Sequence, residues 1–244
     1  MPRFPIRKEP SSEDDGVVRG TISESDYTHI TKVLRLGAGD RITVFDTEST
    51  EYEGILTDIS SEAITLRVHD TRRLQTEPEL ELNLFQAILK GSRMDGVISQ
   101  ATQLGVSEVF PVISERTQVR STAKVDRWNK IALESTKQCG RTVPPAVSQP
   151  IDFRDSFGIK KQSEMKVILY ENQGKLLGDF MKSLTRPVNS INVYIGPEGG
   201  FSKEEITLAG ENSYMALGLG KRILRAETAS LVGLALLQSR FGDI

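Results

Sequence analysis

Two glycine-broken segments constrain the fold of this chain more than any other feature. The first is Tyr194–Phe201, with the sequence YIGPEGGF, and the second is Gly220–Ala229, with the sequence GKRILRAETA. Each segment leaves an apolar run with strand character and enters a run with helical periodicity. Two such turns predict paired main-chain loops that close on a common ligand.

Composition limits the classes of protein to which this chain can belong. Its 244 residues suit one large domain or two small ones. The single Cys139 excludes an internal disulfide framework, and His29 and His69 have no metal-ligand spacing around them, so we expect no zinc or iron site. The longest apolar stretches, such as 231–237, are too short to cross a bilayer, and the acidic Glu13-Asp14-Asp15 is unlike a signal peptide. We therefore expect a cytoplasmic protein.

Residues 1–72 are predicted to form a small β-barrel domain. Alternating apolar and polar residues occur at 41–45, 53–57 and 63–68, separated by turn-prone residues. One helix is expected at 24–36, with Gly37 as its stop. The polar segment between Asp70 and Glu79 contains Pro78, and it separates this pattern from a different one, so we place the domain boundary between residues 72 and 73.

Residues 73–244 are predicted to form an α/β domain with a parallel sheet. Strand-like runs alternate with helical ones, which favours a sheet covered on both faces with ligands at the carboxyl ends of its strands. We expect capping boxes at Ser92 with Asp95 and at Ser202 with Glu205, and a helix stop at Gly105. The predicted strands are 82–89, 109–113, 167–170 and 191–195, and the predicted helices include 94–104, 123–139 and 227–240.

The first glycine segment lacks both common phosphate-binding patterns. It has neither the Lys-Ser/Thr pair of a P-loop nor the spacing of the dinucleotide fingerprint. Glu198 would repel a polyphosphate but suits a ligand with a cationic group, such as S-adenosylmethionine. A turn without a ligand explains an isolated glycine pair, and helix capping explains Glu227 and Thr228 as well as chemistry does. The second segment favours a binding site.

These segments resemble those of the SPOUT class of S-adenosylmethionine-dependent RNA methyltransferases, and more closely the bacterial 16S ribosomal RNA uridine-N3 methyltransferase family, RsmE. Further matching segments follow in the order of that family from one end of the chain to the other. They are Met1-Pro2-Arg3-Phe4, His29–Leu36, Lys90–Asp95, Glu115-Arg116, Gln138–Arg141 and Arg240–Asp243. One departure is Phe4-Pro5, where the family often has two aromatic residues.

The resemblance implies an N-terminal PUA-like barrel, a C-terminal SPOUT domain with a deep trefoil knot, and a homodimer. It also implies methylation of a uridine in 16S ribosomal RNA of the small ribosomal subunit, with S-adenosylmethionine as cofactor and without a metal. The cofactor-binding residues that it implies are Leu169, Tyr170, Glu171, Gly196, Pro197, Glu198, Gly199, Gly200, Leu217, Gly218, Leu219, Leu224 and Thr228.

Attack by uridine N3 requires loss of its proton or stabilisation of negative charge on the ring oxygens. We expect Arg225 to supply the stabilising charge, and Glu198 and Glu227 are both hypotheses for the proton acceptor. Two other functions remain open. One is methylation of another RNA, such as a ribose 2′-hydroxyl of tRNA, and the other is a noncatalytic role in RNA binding or ribosome assembly.

RNA binding must come from local patches, because the formal net charge is −2. Basic residues exceed acidic ones by four between Glu115 and Arg141, although an ordinary charged helix face explains such a stripe as well. Trp128 is expected in the core, and the apolar circumference of the final helix fits either core burial or a dimer interface. The candidate RNA contacts are Arg3, His29, Arg35, Lys90, Arg93, Arg116 and Arg141.

Overall fold

The computed structural model describes residues 2–9, 16–120, 122–159, 163–172 and 174–244. Met1 and Glu13-Asp14-Asp15 lie outside the described residues. The chain forms two compact units, one of Met1–Glu77 with Thr136–Val143 and the other of Pro78–Ser135 with Pro144–Ile244. The predicted boundary between residues 72 and 73 stays a prediction.

The N-terminal unit contains a six-stranded mixed sheet. Its strands are β1 (Arg3–Pro5), β2 (Arg7–Lys8), β3 (Val17–Thr21), β4 (Arg41–Phe45), β5 (Thr50–Ile59) and β6 (Ala63–Arg73), in the spatial order β1-β4-β5-β6-β3-β2. β1 and β2 form the two edges of this sheet, yet only Ile6 separates them in the chain. The sheet must therefore curl until its edges are adjacent, which confirms the predicted barrel-like fold.

Alternate residues of these strands point into one apolar core. Phe4, Val44, Leu56 and Leu66 are at most 1% exposed, and Ile30 of the helical segment is fully buried among them. This packing explains the period of two in the sequence, because successive side chains of a strand face opposite sides of the sheet.

The predicted helix at 24–36 is shorter and less regular than expected. An α-helix, α1 (Glu24–Thr28), continues as a π-helical turn at His29–Val33 and ends at Leu34. The predicted stop at Gly37 is wrong, because Arg35 already has a positive φ of 56°. The Gly37 N–H instead donates to Asp40 Oδ2 at 2.8 Å in the following turn.

The C-terminal unit contains a seven-stranded sheet in which every strand pair is parallel. The spatial order is β10-β8-β7-β12-β11-β13, with β9 beside β8. This sheet confirms the predicted α/β fold, and the trefoil knot stays a prediction. The strands are β7 (Glu81–Ala87), β8 (Glu108–Ile113), β9 (Ala146–Val147), β10 (Ile151–Asp152), β11 (Met165–Leu169), β12 (Ser190–Ile195) and β13 (Met215–Leu217).

Helices cover both faces of this parallel sheet. Along β12, Val193 and Ile195 belong to one apolar cluster and Tyr194 belongs to a second one. Burial on both faces is typical of parallel sheets. The helices are α2 (Arg93–Gln103), α3 (Val125–Cys139), α4 (Phe153–Ser156), α5 (Leu177–Ser183), α6 (Lys203–Glu211) and α7 (Ala226–Phe241).

Two of the three predicted helix ends are confirmed. Ser202 and Glu205 form a capping box at the start of α6, and Gly105 follows α2 with a φ of 74°. The capping box at Ser92 is wrong, because Asp95 instead accepts hydrogen bonds from Arg127 and from the indole N–H of Trp128. Within the described residues, no helix is both long enough and apolar enough to cross a bilayer.

Candidate cofactor and RNA-binding site

A cleft in the C-terminal unit lies where β11 and β12 end. Three segments line it, residues 169–171, 195–201 and 219–224 without Lys221, together with Ala226 and Ala229 of α7. The space between them, including the part that is open to solvent, is about 760 Å³. Most of the predicted cofactor-binding residues line this cleft. The exceptions are Leu217 and Gly218, which are buried behind it, and Thr228, which is exposed on the first turn of α7.

The loop after β12 adopts a conformation that requires glycine. Gly200 has a φ of 67°, and its N–H donates to the carbonyl of Pro197 at 2.9 Å, which closes a tight turn. A Cβ atom on Gly200 would lie 2.6 Å from Oε1 of Glu171. Because the exposed end of the Glu171 side chain can move away, the requirement for glycine rests on the positive φ of Gly200.

One oxygen of the Glu198 carboxylate is engaged within this unit. Its Oε1 accepts hydrogen bonds from the Lys90 N–H at 3.0 Å and from Arg93 Nη1 at 2.9 Å. Desolvation raises the pKa of Glu198, but hydrogen bonds from its own N–H, from Lys90 and from Arg93, with the charge of Arg93, lower it overall. Glu198 therefore stays ionised, is a weak proton acceptor, and is already paired with a cation.

The second loop leads directly into α7. Arg225 is the N-cap residue without a side-chain capping bond, so neither Glu227 nor Thr228 caps this helix. Glu227 Oε1 lies 3.9 Å from Arg93 Nε, and Glu227 Oε2 is buried with no hydrogen-bond partner among the described residues. The guanidinium of Arg225 is exposed and makes no hydrogen bond or ion pair with the part of the chain that is described. Arg225 lies between two residues that line the cleft, Leu224 and Ala226.

Sequence reasoning missed several residues of the cleft. They neighbour predicted residues along the chain, and the two glycine-broken segments contain all of them. Gly220, Arg222 and Ile223 fall within the range 217–224 that the resemblance implies. The missed lining residues are Ile195, Phe201, Ala226 and Ala229.

The predicted RNA contacts of the C-terminal unit lie close to the first glycine loop. Lys90 follows β7 with an exposed side chain, and only its N–H contacts Glu198. Arg93 pairs with Glu198, and Arg116 Nη1 donates to the carbonyl of Gly199 at 2.9 Å. Arg93 and Arg116 are both exposed, so contacts to the loop occupy only part of each guanidinium.

The predicted RNA contacts of the N-terminal unit differ in how accessible they are. Arg35 is exposed and has no described partner, whereas the half-buried His29 packs edge-on against Phe4 with 5.7 Å between ring centroids. Arg3 pairs with Glu51, and its side chain is only 14% exposed. Arg141, 7% exposed, pairs with Glu77 at 2.8 Å. Arg3 and Arg141 therefore have structural partners, and this geometry does not favour direct contact with RNA.

The basic stripe between Glu115 and Arg141 is not a free cationic surface. Arg120 donates to the carbonyls of Ser114 and Glu115, and Lys124 donates to the carbonyl of Gly91. Arg127 pairs with Asp95, and Lys137 pairs with Asp26 at 2.6 Å. Trp128 is 1% exposed and belongs to the core, as predicted.

Comparison with known proteins identifies the family. A family model described as an RNA methyltransferase domain matches residues 76–238, and one described as an RNA methyltransferase PUA domain matches residues 22–68. The chain is 32% identical to ribosomal RNA small subunit methyltransferase E of Synechocystis sp. over 88% of this chain and 71% of that protein. It is 29% identical to that of Buchnera aphidicola from Acyrthosiphon pisum over 91% of this chain and 88% of that protein.

Solved structures agree with this assignment. The structure of ribosomal RNA small subunit methyltransferase E from Neisseria gonorrhoeae, bound to S-adenosyl methionine, has a TM-score of 0.85 and 31% identity, covering 100% of this chain and 99% of that one. A methyltransferase from Legionella pneumophila in complex with the same cofactor has a TM-score of 0.86 and 30% identity, with the same coverage. This chain therefore belongs to the ribosomal RNA small subunit methyltransferase E family of RNA methyltransferases.

Proposed function

We propose that this protein transfers a methyl group from S-adenosylmethionine to N3 of one uridine in 16S ribosomal RNA. The observation that carries the proposal is the cleft between the two glycine loops, in a chain whose relatives over most of its length are small-subunit rRNA methyltransferases. Two solved relatives bind S-adenosylmethionine, and each has a TM-score above 0.8 against this chain.

The chemistry of the cleft suits this cofactor. Leu169, Ile195 and Leu219 offer an apolar surface for the adenine ring, and main-chain groups of 196–200 offer hydrogen bonds. The carboxylate of Glu171 is exposed, has no partner among the described residues, and is suited to a cationic group. When bound, the cofactor supplies an electrophilic methyl group on a sulfonium. The chain's own part is to align the donor with the nucleophile and to exclude water.

Contacts within the site favour different roles for the three proposed catalytic residues. Arg225 has a guanidinium beside the cleft that makes no contact with the described residues, which suits stabilisation of negative charge on the uracil oxygens. Glu198 is disfavoured as the proton acceptor because its pKa is lowered and Arg93 already holds it. Glu227 has a buried oxygen without a hydrogen-bond partner among the described residues and is the better candidate for that role.

We assign RNA backbone contacts to Lys90 and Arg35, and leave His29 as a weaker candidate. Arg35 combines exposure with a left-handed backbone conformation, and such backbone strain clusters at functional sites. Replacement of Arg35 by Ala is expected to weaken RNA binding and to lower its salt dependence while S-adenosylmethionine affinity is retained. An unchanged salt slope would count against this assignment.

We also propose that the protein is a homodimer that acts in the cytoplasm, where ribosomal subunits are made. Apolar residues surround α7, and Leu231 and Leu236 are 38% and 36% exposed within one chain. A helix that is apolar around much of its circumference needs cover on more than one side. Light scattering on the protein and on a Leu231→Asp, Leu236→Asp variant tests the dimer, which the variant is expected to weaken.

Two measurements test the proposed activity. Calorimetry with S-adenosylmethionine is expected to show one site per chain. Mass mapping of 16S ribosomal RNA from cells with and without the protein is expected to show loss of one N3-methyluridine, and its reappearance when purified protein and cofactor are added to small subunits from the deficient cells. Cofactor binding without any lost modification would argue for another RNA, and the absence of cofactor binding would argue for a noncatalytic role.

A further inference from the structure

The most exposed large apolar side chain in the described part of the protein lies at the mouth of the cofactor cleft. Ile223 is 81% exposed, whereas its neighbour Leu224 is only partly exposed and faces the cleft with it. An apolar side chain in this position contributes nothing to the core. Large apolar side chains that are exposed to solvent beside a binding site are typical of surfaces that contact a partner.

The residues around Ile223 are cations without partners. We call the segment Lys221–Arg225 the basic loop. Lys221, Arg222 and Arg225 are all exposed, and none makes a hydrogen bond or an ion pair through its side chain with any described residue. Arg93 and Arg116, on the other side of the cleft, are held by Glu198 and by the Gly199 carbonyl. Among these arginines and lysines, the three cations of the basic loop therefore lie together without partners, and Lys90 adds a further exposed ammonium beside the first glycine loop.

This combination of charges and an apolar side chain fits RNA better than it fits a second copy of the chain. Phosphates complement three unpaired cations, and an apolar side chain between those cations fits the face of a base. Two basic loops facing each other across a dimer axis would repel, because like charges at short range are unfavourable. The nearby Glu227 does not neutralise the loop, because its carboxylate faces Arg93.

We infer that Ile223 is the residue that holds the target uridine out of the RNA stack, while Lys221 and Arg222 bind the flanking phosphates. This inference rests on the proposed function. Uridine N3 lies on the Watson–Crick edge, so an enzyme that modifies it must extrude the base or bind it unpaired. Aliphatic side chains that enter the gap beside a displaced base lower the cost of unstacking it. Leu224, the next residue, already lines the cofactor cleft, so a base against Ile223 is brought toward the methyl donor.

The test compares Ile223→Ala with Ile223→Leu and with the matched control Ile244→Ala, whose side chain is 60% exposed elsewhere in the same unit. Methyl transfer is measured on small ribosomal subunits from deficient cells. The Ile223→Ala change is expected to lower kcat/KM for the RNA by about tenfold, since it removes one apolar contact to the base. The Ile223→Leu variant, which keeps an aliphatic side chain of the same volume, is expected to recover most of this loss. The control Ile244→Ala is expected to retain the wild-type value.

Two further readouts separate base displacement from charge. In an RNA fragment that carries 2-aminopurine beside the target uridine, the wild type is expected to raise the fluorescence and Ile223→Ala to raise it much less. Removal of Arg222 is expected to lower the salt slope of RNA binding by about one, whereas Ile223→Ala leaves that slope unchanged.

Three outcomes would overturn the inference. A loss of S-adenosylmethionine affinity that accounts for the lower kcat/KM would make Ile223 a cofactor contact. A loss of dimer in light scattering would make it a contact between copies. If Ile223→Ala has the same kcat/KM and the same rise in fluorescence as the wild type, Ile223 has no role in displacing the base. Failure of the proposed function is distinct from all three, because the wild-type protein itself would then transfer no methyl group.

Discussion

The guanidinium of Arg93 lies between a carboxylate of the first glycine loop and a carboxylate at the start of α7. Its Nη1 is 2.9 Å from Glu198 in the loop after β12, and its Nε is 3.9 Å from Glu227 in the first turn of α7. Arg93 is the first residue of α2, so the start of α2 contacts both the loop and the start of α7 through their acidic residues. Its planar fork suits such bridging better than the single ammonium of lysine does.

Replacing Arg93 by Ala is expected to weaken S-adenosylmethionine binding by about tenfold. The Glu198 carboxylate loses a charge-assisted hydrogen bond of roughly 1.5 kcal/mol, and the glycine loop that it anchors becomes less ordered. Calorimetry measures the affinity for S-adenosylmethionine. The affinity of Arg93→Lys, which keeps the charge but not the planar guanidinium, is expected to lie between those of the wild type and Arg93→Ala. Arg127→Ala, which removes another exposed arginine of the same unit, serves as the control. Equal affinities for Arg93→Ala and the wild type would contradict the bridge.

Replacing Arg225 by Ala is expected to lower kcat by about a hundredfold while S-adenosylmethionine affinity is retained. Its guanidinium has no partner within the described part of the chain, so its charge is available to stabilise the uracil oxygens as N3 loses its proton. Single-turnover methyl transfer with saturating RNA measures this step. Arg222→Ala, a neighbouring free cation, is expected to raise KM more than it lowers kcat. A kcat loss confined to subsaturating RNA would show that Arg225 only binds substrate.

Accessibility of the individual arginines was the part of the site that the sequence did not predict. Arg3, Arg93 and Arg141 look alike in the sequence, yet their partners Glu51, Glu198 and Glu77 lie 48, 105 and 64 residues away. No local pattern records a pairing over such distances. The glycine loops were predictable because their conformation depends on residues within the loop itself, such as Gly200 and its positive φ.

At the scale of elements, the length of each strand or helix determined whether the sequence pattern could predict it. Strands β4, β7, β8, β11 and β12 each have at least five residues with clear patterns, and helices α2, α3 and α7 have 11 to 16 residues. β2, β9 and β10 have only two residues each, which is too short for any periodicity. The early end of the first helix followed from the backbone of Arg35, because a non-glycine residue in the left-handed region has no strong sequence signal.

The segment that follows α3 is held by one carboxylate. Glu77 Oε1 accepts the N–H groups of Thr142 and Val143 at 2.8 and 3.1 Å, and its Oε2 accepts from Arg141 Nε at 2.9 Å. Desolvation raises the pKa of Glu77, but these hydrogen bonds and the Arg141 charge outweigh it and lower that pKa below 4.5. The folded state therefore binds this proton less readily than the unfolded state does.

Stability contributed by Glu77 is expected to be present above pH 4.5 and to be lost as the pH falls through its lowered folded-state pKa. At pH 7, Glu77→Gln is expected to lower the free energy of unfolding by about 3 kcal/mol, because Arg141 is left buried without its anion. The difference between wild type and variant should shrink below pH 4. Urea unfolding at several pH values measures both effects, with the exposed Glu79→Gln as control. A difference that stays constant down to pH 3 would contradict the assignment.

At the scale of the whole molecule, the two compact units are not consecutive in the sequence. Thr136–Val143, from the middle of the chain, group with Met1–Glu77. Two ion pairs tie this segment into the N-terminal unit, Lys137 with Asp26 and Arg141 with Glu77. Asp26 is 2% exposed, so its carboxylate relies on Lys137 for compensation. Sequence patterns predicted a barrel that ends near residue 72, because they reveal the strands but not the distant segment Thr136–Val143 that completes the unit.

A fragment of residues 1–77 is therefore expected not to fold stably, although it contains every strand of the barrel. Without 136–143, the carboxylates of Asp26 and Glu77 lose their cations. The cost is larger for Asp26, whose side chain is 2% exposed, because a buried unpaired charge costs about 3 to 5 kcal/mol. Thermal unfolding followed by circular dichroism should show no cooperative transition for this fragment. The same fragment with Asp26→Asn and Glu77→Gln removes both charges and should recover part of the transition. If both fragments unfold cooperatively at the same temperature, the apolar core around Ile30 and Leu56 is sufficient by itself, and the 136–143 segment is not required for folding.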